Sequence, residues 1–148
     1  MAVSQAPSTE AMVAIVERIN SGTAYALPVR VSYSETIDDY LDDIPDLRVD
    51  VCQEEEEQLN ETLDVEDRTS HLIRVWVRQR TGTQEMVDAA KLIVRQVWQR
   101  VNNFNSSNGR VKVWECDLDP KEIPDKATLK QTGLFVVSML LRVEVEAS

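Results

Sequence analysis

The sequence predicts an α+β fold: a mainly antiparallel sheet of four to five strands packed against two helices, one short and N-terminal, the other long and central. Three observations predict it. Apolar periodicity switches along the chain from helical to alternating, back to helical, then to alternating again. The alternating stretches come in succession, three before the central helix and two after it, which favours antiparallel pairing with the helices covering one face. Hydrophobic residues make up 43% and charged residues 28% of 148 residues, which allows a packed core and argues against wholesale disorder. The chain reads as a single domain over residues 1–148, with long loops at about 53–69 and 119–133.

The first helix is expected to start near Ser8 or Thr9, either of which can cap orphan backbone N–H groups, with Glu10 in the first turn. Met12, Ile15, Val16 and Ile19 then form one apolar stripe, and Asn20-Ser21-Gly22 is a stop signal, because glycine accepts the left-handed conformation that ends many helices. Val29 to Tyr33, after Pro28, alternates as a strand, and Leu47 to Val51 alternates as the next, with an acidic connection between them. Residues 53–69 read as a long polar loop. His71 to Arg80 is the third strand, with His71, Ile73, Val75 and Val77 on one face and Arg74, Trp76, Arg78 and Arg80 on the other. The long helix is expected from about Gln84 to Phe104, on the spacing of Met86, Val87, Ala90, Ile93, Val94, Val97, Val101 and Phe104. Asn108-Gly109 is a left-handed pivot, and strands over Arg110 to Leu118 and Leu134 to Val145 close the fold.

Charge is unevenly distributed. Residues 35–67 hold fifteen acids and one base, Arg48, for a net −14; the remainder is net +4 and the whole chain −10. This balance argues against a dedicated nucleic-acid-binding module, whose affinity comes from neutralising phosphates. The acidic stretch reads either as a solvated, self-repelling loop or as a surface that repels nucleic acid or meets a basic partner. Glu54 to Glu57 are its densest run. No apolar run is long enough to span a membrane, and the first residues lack the charged and apolar regions of a signal peptide.

Catalytic chemistry has few candidates. His71 is the one histidine, and at the start of an alternating strand it reads as a capping or half-buried residue before it reads as a general base. Cys52 and Cys116 stand far apart with no CxxC pair, which suits packed free thiols and not a zinc site. The acids at Asp38, Asp39, Asp42 and Asp43 lack the alternation and central glycine of a calcium loop. No glycine-rich phosphate loop or nucleophile elbow is present, so the sequence points to a protein that is not an enzyme and calls for no cofactor or metal. Arg74, Trp76, Arg78 and Arg80 are the constellation that remains. They read either as an outer sheet face with arginine stems over an indole or as a subunit interface, since Trp and Arg are enriched at hot spots. Stacking on a single-stranded nucleic acid is a third reading, opposed by the net charge.

Taken in order, AMVAIVERIN, VRVSY, LRVDVCQEEEE, HLIRVWVRQ, MVDAAKLIVRQVWQRV and GLFVVSMLLRVEV resemble the tail terminator (tail-completion) proteins of long-tailed bacteriophages, over about residues 8–146. The resemblance lies in the order of elements and brings no catalytic residue. It implies an α+β fold, a homohexameric ring that caps the tail tube, and partners in the tail tube protein and the neck or head connector. DNA would pass through such a ring without specific binding. The location implied is the tail–neck junction of a virion, assembled in the host cytoplasm. The acidic 35–67 segment has no counterpart in the family pattern. Two further readings stay open: a neck (connector or stopper) protein, and a bacterial cytoplasmic dimeric ligand-binding or regulatory domain.

Overall fold

The computed structural model describes residues 6–25, 27–33, 47–58, 68–80, 83–119 and 133–146, without the side chains of 54–58, 68, 118 and 119. Helix α1 spans Pro7–Asn20. Its start differs from the expected Ser8 or Thr9 cap. Ala6 is the N-cap and makes no side-chain bond, and Pro7 opens the first turn. Proline's fixed φ suits that position, and its missing N–H is one the turn would leave unbonded anyway. At the other end the helix stops where expected: Ser21 closes it and Gly22 takes φ +84°.

Helix α2 spans Gln84–Val101 and is capped by Thr83, whose hydroxyl accepts from Met86 N–H at 3.2 Å. It ends three residues before the expected Phe104. Asn103 adopts φ +58°, the left-handed conformation that asparagine tolerates, and the chain turns there. Phe104 still packs on the core from the turn.

The strands are β1 (Val29–Tyr33), β2 (Leu47–Gln58), β3 (Arg68–Arg80), β4 (Val111–Asp119) and β5 (Leu134–Glu146). They form one sheet in the order β1-β2-β3-β5-β4. Every pairing is antiparallel except β1 with β2, which run parallel from Val29↔Leu47 to Tyr33↔Val51. The expectation of successive antiparallel strands therefore fails at this one pair. Parallel neighbours need a crossover of about a dozen residues, and the acidic connection 34–46 is long enough to supply one. It lies outside the described residues, as do 59–67 and 120–132.

Of the polar stretch expected as a loop over 53–69, residues 53–58 and 68–69 are strand, and 59–67 lie outside the described residues. β2 continues to Gln58 and β3 begins at Arg68, with Glu55↔Leu72, Glu56↔His71, Glu57↔Ser70 and Gln58↔Thr69 in register after a bulge between Gln53 and Glu55. Strand pairing is a backbone affair, and the bulge absorbs the break in apolar alternation that made the run look like a loop.

Both helices lie on one side of the sheet. Their apolar stripes (Met12, Ile15, Ile19; Ala90, Ile93, Val94, Val97) join Val49, Val51, Ile73, Val75, Val77 and the odd-numbered residues of β5 from Phe135 to Val145 in one buried cluster. Arg100 ties α1 to α2: it donates to the Ile19 carbonyl at 2.7 Å and to the Thr23 carbonyl, and stacks 4.2 Å from the Tyr25 ring centre. Among the described residues no helix is long and apolar enough to cross a membrane.

Candidate functional site

The residues singled out on β3 share the sheet face turned away from the helices. The pleat puts even-numbered residues of β3 there, opposite Arg48, Asp50 and Cys52 of β2 and Val136, Ser138 and Leu140 of β5. Arg78 is the most deeply set. Its Nη2 donates to Asp50 Oδ2 at 2.9 Å, and the two side chains retain only 5% and 3% exposure. Asp50 also accepts from Ser32 at 3.1 Å and lies 3.4 Å from Arg48 Nη2, so one carboxylate links β1, β2 and β3. Arg74 donates to Ser138 Oγ at 2.8 Å, and its guanidinium lies 5.7 Å from the Trp76 ring centre. Trp76 is half-buried, and its Nε1 has no hydrogen-bond partner among the described residues; neither has Arg48 Nη1. Arg80 is exposed. The four residues thus do different things: Arg78 braces the sheet from within, while Arg74, Trp76 and Arg80 form the surface over it.

Glu54 sits in the bulge of β2 and Glu55 to Glu57 lie past it, and their side chains are outside the described set. His71 is fully buried on the helix side, which corrects the expectation of a capping or half-buried residue. Thr69 Oγ1 stands 2.7 Å from its Nε2 and Gln53 Nε2 3.3 Å from its Nδ1, so both ring nitrogens are engaged inside the protein. The thiols are free and buried, on opposite faces: Cys52 opposite Arg74, Cys116 opposite Leu141. Burial, with Asp117 beside it, pushes the Cys116 thiol up to about 12. Among the described residues no three His, Cys, Asp or Glu side chains gather as a metal-binding group.

One feature escaped the sequence reading. Trp114 sits on edge strand β4 at a bulge between Val113 and Glu115 and is 49% exposed. Its Nε1 donates to Glu144 at 2.7 Å, and Lys112 Nζ lies 3.8 Å from its ring centre. With Ser70, Glu115 and Arg142 it lines an open groove of about 650 Å³ on the face away from the helices. The bulge was invisible in the sequence because apolar alternation there runs Val111, Val113 and then Cys116, a single missed step.

No family model matches the chain, and no curated protein matches it. Its fold is shared with a chain in a solved structure. That structure is the virion of a native gene transfer agent particle: TM-score 0.56, 12% identity, 95% of this chain covered and 98% of that one.

Proposed function

We propose that this chain is a structural virion protein, a ring-forming tail terminator that caps the tail tube, stops its polymerisation and joins the tail to the neck or head connector. The observation that carries this reading is the match in fold, over nearly the full length of both chains, with a chain of a gene transfer agent virion. The order of elements that resembles tail terminators is the second support.

Capping is a mechanical task. A closed ring needs a heterologous interface, one patch of each subunit meeting a different patch of the next. In this proposal the open sheet face carrying Arg74, Trp76, Arg78 and Arg80 contributes to that interface, with Arg78 fixing the strand through Asp50. One side of the ring docks on the last layer of tube subunits and the other receives the neck. The acids of residues 35–67, Glu54 to Glu57 foremost, face either the lumen, where negative potential keeps DNA moving, or a basic partner. No catalysis and no cofactor are required.

Negative-stain images and light scattering of the purified protein test this. Rings of about six copies are expected. A dimer at all concentrations would overturn the reading in favour of a ligand-binding or regulatory domain. A neck protein also forms rings, and addition of tube protein separates the two: a terminator binds tube ends.

A further inference from the structure

Trp114 stands between two grooves on the open face. With Glu144 it lines both, the groove of about 650 Å³ shared with Glu115 and Arg142 and a smaller one of about 250 Å³ shared with Lys112. The Lys112 ammonium, 3.8 Å from the ring centre, therefore lies on the side of the smaller groove. Among the described side chains no cation stands over the ring from the larger groove. The bond from Nε1 to Glu144 at 2.7 Å holds the ring in place, and the bulge turns it outward. About half of its surface still meets solvent.

This margin of the sheet offers side chains and not a bare backbone. The Cys116 carbonyl accepts from Trp98 Nε1 at 2.9 Å, and Asn105 bridges Lys112, so β4 is engaged on both sides of its bulge. The surroundings are rich in acid. Rows across the strands read Lys112, Glu144, Ser70, Glu57 and then Glu115, Arg142, Leu72, Glu55, with Glu146 beside Arg68 in the next. Five acids and three bases hold these register positions. Glu115 is the most available of them. Its side chain is 66% exposed, and its one ion pair, with the 52% exposed Arg142, is 3.8 Å long. A pair of that kind contributes little and yields to a better-placed cation.

We propose that the larger groove is a docking site for an arginine carried by a partner protein, its guanidinium stacked on the bare face of Trp114 and paired with Glu115. A guanidinium is flat, so it can lie on the indole while its edge donates two N–H groups to a carboxylate; an ammonium cannot do both. The excess of acid favours a basic partner surface and opposes nucleic acid. The groove is a trough on a sheet face, which suits a side chain borne by a larger surface; a free small ligand needs most of its own area covered. Tryptophan and arginine are also the side chains that most often anchor such contacts. The inference stands apart from the ring reading, because a lone subunit carries the whole groove.

Fluorine spectra test it. The chain has three tryptophans, so full-length protein made with fluorotryptophan gives three signals, and Trp114→Phe identifies one of them. The probe is a short glycine–serine peptide bearing two arginines. It should move the Trp114 signal saturably and leave those of Trp76 and Trp98 in place. The same peptide with citrulline, an uncharged isostere of arginine, should move nothing, and a lysine version should bind about threefold more weakly. By fluorescence anisotropy of the labelled arginine peptide, Glu115→Gln should raise Kd about fivefold and Trp114→Ala about tenfold or more. Both side chains are exposed, so neither change should alter the circular dichroism spectrum. An equal response to the citrulline peptide, or unchanged affinity in Glu115→Gln, would overturn the site. So would a shift shared by all three signals, which marks diffuse attraction to an acidic chain.

Discussion

The two faces of the sheet follow opposite rules. On the helix side, almost every contact is between apolar side chains with no exposure, and His71, an exception, has polar partners within the protein. On the open side, the strands carry arginines, acids and tryptophans, and two of the buried residues, Asp50 and Arg78, are charged. The first face specifies the fold through non-directional burial, which tolerates exchange of one apolar residue for another of similar volume. The second depends on particular pairs at particular distances. The second face can therefore vary without loss of the first.

The sharpest way to break the comparison is to injure each face in turn. Phe135→Ala, beneath the helices and fully buried, should cost about 3–5 kcal/mol in denaturant unfolding. Asp50→Ala strands Arg78 in a buried setting and should cost about 3 kcal/mol; replacing both Asp50 and Arg78 by leucine and methionine should recover most of it. If the double replacement is as damaging as the single one, the open face is not a set of pairs but a packed layer like its opposite. Arg100→Ala removes two bonds to carbonyls around the end of α1 and should cost about 2 kcal/mol. Alkali offers a gentler probe. The Cys116 thiol stays protonated in the folded protein until about 12 but ionises in the unfolded chain near 9.0, so stability present below pH 9 should drain away as pH rises between those values. Tyr25, raised by burial against the opposing effect of Arg100, pulls the same way. Urea midpoints measured from pH 8 to 11 would show the decline, and Cys116→Ala should flatten part of it. Smallest of all, Trp114→Ala should change stability by about 0.5 kcal/mol or less in denaturant unfolding.

Much of the helix-side face was legible in the sequence, because helical and alternating periodicities are signatures of burial on one side. The stripe from Met12 to Ile19 and the alternations of β3 and β5 fell where their spacing put them. The extension of β2 through Glu57 was not legible, since a run of glutamates carries no alternation and backbone pairing leaves no mark on composition. The parallel register of β1 was hidden too, because a five-residue strand reads the same whichever way its neighbour runs. For the open face, the sequence placed Arg74, Trp76, Arg78 and Arg80 together but could not show that Asp50, twenty-eight positions from Arg78, draws that arginine inward. Trp114 was missed for the same reason: its prominence depends on a bulge and on which strand ends up at the margin.

The order of strands has a consequence for how the protein is made. β5 follows β4 in the chain, yet it lies between β3 and β4 and holds Phe135, Met139 and Leu141 in the apolar cluster. Until it emerges, β4 has no strand to pair with and β3 keeps one side bare. The nascent chain therefore carries an incomplete sheet until β5 has been made and cannot finish this sheet piece by piece as it appears.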